Sequence, residues 1–230
     1  MFYINKKETR LIILQRIELI SSFLKKIRKI FGRYIFSSFI SKYFLSTTDV
    51  GKAYFENMHQ EFESINSGID LLNKNLLSIG GGLGGLELFI NTKINIKSFT
   101  FIERNYISKK VKYGWDNNNK EAYNDLGIQK KFLIKNGMSP SRFTIYDYDN
   151  DQLPEGKFDI VISLFSLDYH YDFNIYLEYL KKNTHKESKI IFDTIRADYF
   201  KSIFKEVSIL KNRTKKIHSS KRVMCSNFLS

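Results

Sequence analysis

The chain has 230 residues, 43% of them hydrophobic and 15% aromatic, with two prolines and twelve glycines; this suits one well-cored domain with a modest extension and excludes a disordered or fibrous protein. A single cysteine, Cys225, excludes an intramolecular disulfide framework and a multi-cysteine zinc site, and it reads as a small buried hydrophobe in a reducing cytosol. The net charge of +13 sits at the ends: residues 1–45 hold ten Lys/Arg against two acids and residues 180–230 thirteen against four, leaving a mildly acidic middle.

From Glu8 to Phe31 apolar residues recur at helical spacing, as in Leu14, Ile17, Leu24, Ile27 and Ile30, interleaved with Arg16, Lys25, Lys26, Arg28 and Lys29. The pattern predicts a basic amphipathic helix. A second apolar run, Tyr34 to Leu45, follows Gly32, and Thr47, Thr48 and Asp49 offer caps for a helix running toward Ser64. Residues 1–65 are therefore expected to form a helical extension or cap, ahead of a domain over 66–230. Beyond it, short apolar runs alternate with helical patterns, the signature of a parallel sheet with crossover helices. Strands are expected near Leu76–Ile79, Phe99–Glu103, Phe143–Tyr146, Phe158–Ser163 and Lys189–Phe192, with a closing hairpin from Glu206–Leu210 and Arg222–Ser226. Helices are expected near Gly84–Asn91, Asn118–Asn136, Phe173–Asn183 and Ala197–Phe204, Gly137 ending the second of them.

The run Leu76 to Leu86 is an apolar strand entering the cluster Gly80-Gly81-Gly82-Leu83-Gly84-Gly85 and then a helix. Such a turn lets a nucleotide-like ligand approach bare backbone, and the helix that follows offers unpaired amides. Its spacing fits both GxGxG and GxGxxG, so a methyl-donor site and a dinucleotide site both remain open. Glu103, at the end of the next apolar run, sits where a carboxylate accepts hydrogen bonds from ribose hydroxyls in either case.

Further along, Asp149-Asn150-Asp151-Gln152-Leu153-Pro154 precedes Phe158-Asp159-Ile160-Val161-Ile162-Ser163. Together with the glycine turn, these motifs resemble class I methyltransferases dependent on S-adenosylmethionine (SAM), over about residues 70–226. The resemblance implies an α/β, Rossmann-like fold: a mostly parallel seven-stranded sheet with helices on both faces, carrying the helical N-terminal extension. It implies that Gly80, Gly82 and Gly84 wrap the amino-acid part of SAM, that Glu103 holds the ribose and that Asp149 holds the adenine amino group, with Asp147 and Asp151 as competitors for that last role. Ser78 departs from the family, which often has an acid there, so contacts to the methionine end are expected to be weaker or made through water. A nicotinamide dehydrogenase is disfavoured because the Tyr-x-x-x-Lys spacing, Tyr106 to Lys110, follows too soon after the glycines.

In this fold ligands meet beyond the carboxyl ends of the strands, so the loop Leu164-Phe165-Ser166-Leu167-Asp168-Tyr169-His170-Tyr171 faces the transferred methyl group. His170 is the candidate base for a hydroxyl acceptor, or else it braces the loop. Asp168 is expected to cap the following helix rather than to orient His170. No Asn/Asp-Pro-Pro-aromatic motif follows the fourth strand and Cys225 lies too late for cytosine chemistry, which argues against base methylation. No metal-ligand spacing is present, so no metal site is expected. Lys112-Tyr113-Gly114-Trp115 with Tyr123-Asn124 and the Asp-Tyr-His-Tyr loop look similar to methyltransferases associated with surface-sugar synthesis; Tyr113 and Trp115 either stack on an acceptor or pack together. His59, with Glu56 and Glu61, is a second base candidate or a solvated helical face.

The leading expectation is methyl transfer from SAM to a hydroxyl of a small molecule, a sugar or a related metabolite, free or lipid-linked. The alternatives are an RNA methyltransferase gripping phosphate with its basic ends, or a non-catalytic SAM-binding module. No stretch of eighteen apolar residues and no signal-peptide pattern occur, so the location is read as cytoplasmic, with peripheral membrane contact through the basic N-terminal helix as one role for that helix and packing over the active site as the other.

Overall fold

A computed structural model describes residues 1–66, 68–108, 122–213 and 219–229. Seven strands form one sheet: β1 (Asn75–Ile79), β2 (Ser98–Glu103), β3 (Phe143–Asp147), β4 (Phe158–Ser163), β5 (Thr184–Thr194), β6 (Phe204–Arg213) and β7 (Ser220–Phe228). Their spatial order is β3-β2-β1-β4-β5-β7-β6. The first five run parallel, and β7 is inserted antiparallel between β5 and β6. The expected α/β, seven-stranded, mostly parallel sheet is thus present. The order reverses between β1 and β4, which is where such sheets open a crevice at their carboxyl ends.

The N-terminal extension is helical but broken. Helix α1 (Lys6–Gln15) ends at Arg16, a short 3-10 turn (Ile17–Leu19) follows, and α2 (Ser22–Phe31) restarts at Ser21, whose hydroxyl accepts from Leu24 N. The expected single helix over 8–31 is therefore two, because a serine cap competes with continuation at that point. Asn5 and Glu8 close a capping box at the other end of α1. Gly32, at φ +74°, turns the chain into α3 (Arg33–Tyr43), and α4 (Thr47–Asn66) follows, with Ser46 Oγ rather than a threonine accepting from the Asp49 amide at 3.2 Å.

Helix α5 (Gly85–Lys93) leaves the glycine turn. Helix α6 (Leu126–Lys135) begins later than expected, after the Asp125 cap; Ala122 to Asn124 are not helical, and Asn118 lies outside the described residues. The segment 173–183 is split into a 3-10 turn and α7 (Leu177–Asn183), and Ala197–Ser202 is 3-10 rather than α-helical.

One apolar cluster joins the extension to the sheet: Phe2, Leu11 and Ile12 share it with Phe89, Phe99 and Phe132. Burial of several such side chains contributes about 1.5–3 kcal/mol each. A charged network pins α4 against the sheet's antiparallel edge. Arg222, fully buried on β7, makes two hydrogen bonds to Asp193 at 3.1 and 2.9 Å, donates to Glu61 at 2.6 Å and reaches Ser64 Oγ. Glu61 thus belongs to the interior, not to a solvated face. His59 stays on that face, near Glu56 and Glu63 and stacked on Phe89. Cys225 is buried, as its type suggests, and burial pushes its thiol up.

Candidate active site

The crevice at the carboxyl ends of β1, β2 and β4 is a cleft of about 140 Å³, roughly ten times the space that one water needs. Ile79, Ile102 and Leu164 give it an apolar floor, and Gly80, Gly81 and Gly82 form one wall. Gly80 and Gly82 have φ of +66° and +68°, a backbone that side-chain-bearing residues adopt at a cost. An added Cβ at Gly80 would collide with Ser166 Oγ, and one at Gly82 with the Gln15 amide. The bare backbone of this turn is therefore required by its own conformation and, at Gly80, by its neighbour Ser166. Gly84 stands one step back: its space is closed by Phe101 and Leu133, so it seats α5 on the core instead of lining the cleft.

Glu103 enters the cleft from the end of β2 and accepts the Gly82 amide at 2.7 Å. The juxtaposition follows from register, since β1 and β2 pair in parallel with Ile79 opposite Ile102. Burial pushes the Glu103 carboxyl up to about 8, against the opposing pull of the Gly82 amide. Asn124, another lining residue, donates to Gly82 O and to Gln129, while its own Oδ1 is buried with no hydrogen-bond partner.

Of the three acids after β3, each has a different place. Asp147 is buried and accepts from the Asn150 side chain at 2.7 Å and from the Asp149 amide. Asp151 accepts the Asp147 amide at 2.8 Å, so both are spent on the turn. Asp149 is exposed at the rim, 3.7 Å from Arg104 Nε, and Tyr148 rather than Asp149 lines the cavity. Behind the turn, Ser78 donates to Glu87 Oε1 at 2.6 Å.

The loop after β4 is held tightly. Ser163 Oγ donates to Ile79 O and accepts from Leu167 N. Ser166 O accepts from the amides of Tyr169, His170 and Tyr171. Phe165 and Asp168 adopt φ of +60° and +56°, a strained backbone of the kind that gathers at functional sites. Asp168 is fully buried and ion-paired to Arg196 at 2.5 Å, with Thr194 donating as well. It is Asp172 that caps the following turn, by accepting from Asn174 N, so the cap expected of Asp168 is made four residues later. His170 is thereby presented, exposed, at the cleft, with the Tyr123 ring 6.4 Å and the Tyr169 ring 5.3 Å away. Tyr123 and Asn124 line the same cleft, whereas Lys112, Tyr113, Gly114 and Trp115 lie outside the described residues. Among the described residues no group of three His, Cys, Asp or Glu is placed to hold a metal ion.

Sequence reasoning offered packing over the active site as one role for the extension but named none of its residues that line the cleft. Gln15 accepts the Leu83 amide at 3.3 Å and donates to Tyr123 O at 2.9 Å; Arg16 lies over Phe165, and Arg33 lies 4.1 Å over Tyr123. The signal was present. Leu11 to Leu14 are four consecutive apolar residues, all buried, so the polar residues that follow them emerge inside the fold.

No family model and no curated protein sequence matches the chain. Solved structures do resemble it. A chain from the complex formed by the Haloferax volcanii Trm112 methyltransferase activator superposes with a TM-score of 0.50 at 9% identity, over 75% of this chain and 92% of that one. The precorrin-6y C5,15-methyltransferase of Geobacter metallireducens gives 0.45 at 13% identity, over 74% and 87%. Coclaurine N-methyltransferase, crystallised with N-methylheliamine and S-adenosylhomocysteine, gives 0.41 at 13% identity over 63% of this chain, and the match spans only 36% of that protein. At such identities the likeness speaks for the fold, which is Rossmann-like.

Proposed function

We propose that the protein is a SAM-dependent methyltransferase that acts on a hydroxyl group of a small molecule, a sugar or a related metabolite. The observation that carries this reading is the meeting of Glu103 and the Gly80–Gly82 turn across β1 and β2, with the Gly82 amide on the carboxylate at 2.7 Å. The cleft suits a nucleoside with an amino-acid tail. It offers bare backbone along the glycine turn and a buried carboxylate for ribose hydroxyls. Gly80 and Gly82 would hold the amino-acid part, with Gly84 fixing the helix behind them; Glu103 would hold the ribose and Asp149 the adenine edge.

SAM, when bound, supplies a methyl group on a cationic sulfur that an oxygen nucleophile can take. An alcohol is a weak nucleophile until its proton leaves, and His170 is the group at the cleft suited to receive that proton near neutral pH. Phe165, Tyr171 and Tyr176 surround the reacting region with aromatic surface, which excludes water.

Calorimetric titration with SAM and with S-adenosylhomocysteine tests the cofactor. Binding in the micromolar range that is weakened by Glu103→Ala is expected; no binding of either would sink the reading. Transfer of labelled methyl groups to a panel of hydroxyl-bearing sugars, against amines and RNA, tests the acceptor. Label in RNA or amines alone would refute the hydroxyl assignment.

A further inference from the structure

The second and third helices carry a surface that the fold leaves uncovered. None of the ten residues of α2 is buried. Among the described residues, seven of the seventeen exposed large hydrophobic side chains fall between Phe23 and Phe44. Ile30 is 79% exposed, Phe23 69%, Ile35 68% and Phe44 65%. On α3, Ile35, Phe39 and Tyr43 recur at intervals of four, so they form one stripe along that helix. Single exposed apolar residues are ordinary, but a concentration of this kind marks an interaction surface.

The charge around the stripe selects the partner. Residues 22–44 contain six Lys/Arg and no acid, four of the six on α2. A symmetric contact with a second copy would lay this patch on itself and set the positive charges of α2 against their own copies. An anionic surface meets the same charges favourably, and aliphatic groups such as Ile30 and Ile35 need an apolar phase to enter. No helix among the described residues is long and apolar enough to cross a membrane, so these helices would lie on a bilayer, not span it.

We propose that α2 and α3 form a docking surface for an anionic lipid bilayer, with the exposed aromatic and aliphatic side chains seated at the headgroup boundary and the lysines on the headgroups. The turn at Gly32 joins the two helices, and Arg33, the first residue of α3, lines the cleft. Docking there holds the cleft wall next to the lipid surface. The inference stands apart from the choice of methyl acceptor.

Sedimentation of the full chain with vesicles tests it. Partition onto vesicles of phosphatidylcholine with a quarter phosphatidylglycerol is expected to exceed that onto pure phosphatidylcholine at least tenfold, and to fall as salt rises from 0.1 to 0.5 M. The double substitution Ile30→Ser with Phe31→Ser is expected to cut partition at least tenfold with the melting temperature unchanged. Should that variant misfold, Lys26→Glu with Lys29→Glu, both at exposed positions, is expected to give the same loss. Absence of partition onto anionic vesicles, or equal partition by wild type and the folded variants, overturns the proposal. So does a dimer in sedimentation velocity that the substitutions dissolve, or retention of RNA, where either occurs without vesicle binding.

Discussion

Ser78 Oγ donates a hydrogen bond to Glu87 Oε1 at 2.6 Å, joining the end of β1 to the first turn of α5 behind the glycine cluster. Where the resemblance leads one to expect an acid on the strand, this chain has a serine and brings a carboxyl to it from the helix. Glu87 is 1% exposed and its Oε2 has no hydrogen-bond partner. Burial raises its pKa, against the opposing effects of the Ser78 hydroxyl and the Arg16 charge.

Beside the glycine turn, two buried carboxyls with raised values, Glu87 and Glu103, give stability a pH slope, to which Asp168, also raised by burial, adds. Each titrates higher folded than unfolded, so the folded chain holds protons that the unfolded chain has already released. Their contribution is complete below the unfolded carboxylate range near 4.3. It is lost as pH rises through the folded value, which for Glu103 is about 8. Melting temperatures taken from pH 5.5 to 8.5 should therefore fall with rising pH, and Glu87→Gln should flatten the decline. An unchanged slope in that variant would show that Glu87 is not one of the groups involved.

Cofactor affinity should depend on Glu103. Losing a charged hydrogen-bond acceptor for two hydroxyls costs about 1.5–3 kcal/mol, so Glu103→Ala is expected to weaken SAM binding between tenfold and a hundredfold. Asp149→Ala, at an exposed rim position, should cost less. If ribose is held by the ionised carboxylate, affinity rises from pH 6.5 to above 8 and binding releases a proton, which calorimetry in buffers of different ionisation enthalpy reads directly. Proton-neutral binding across that range would contradict it.

For the chemical step, His170→Ala is expected to keep SAM affinity and lower turnover at least about a hundredfold, the contribution of a positioned general base. His170→Gln should not restore the rate, since an amide cannot take a proton at neutral pH. Full turnover in either variant removes His170 from proton transfer and leaves it as a brace of the loop.

The Arg222 network predicts a large stability effect from a residue that does not line the cleft. Arg222→Ala removes the guanidinium that bridges Asp193 and Glu61 in the interior, and breaking a buried pair in this way costs about 3–5 kcal/mol. Urea unfolding should show the loss directly. A loss below about 1 kcal/mol would mean that water reaches the vacated site and solvates the acids.

How far the sequence can be read depended on what each signal encodes. The core strands were legible because Leu76–Ile79 and Phe158–Ser163 are buried on both faces nearly along their length and so are mostly apolar, with Ser78, Asp159 and Ser163 as the exceptions. Strands β5, β6 and β7 run longer than expected because hydropathy does not register their polar ends: Lys211 to Arg213 pair with β7, and His185 to Ser188 bulge between the pairs Phe158–Thr184 and Ile160–Lys189, with Ser188 Oγ donating to Phe158 O. Gly80, Gly82 and Glu103 adjoin because register in a parallel sheet fixes which strand ends meet. The cap expected of Asp168 is made by Asp172: both precede a helical turn and both pair with Arg196, 24 to 28 residues away in sequence, and only the full burial of Asp168 against Thr194 separates them. Gln15, Arg16 and Arg33 escaped notice for the same reason: their place at the cleft depends on a break at Ser21 and a turn at Gly32 in three dimensions.

The amide of Gln15 has a consequence for how damage to this protein would show itself. It fills the space beside Gly82 and ties the Leu83 amide to Tyr123 O, so the turn and the extension share one fastening. A side chain at Gly82 would therefore displace the Gln15 amide and loosen that fastening as well as disturb the cleft wall. Lesions at Gln15 and at Gly82, 67 residues apart in the sequence, should share one phenotype.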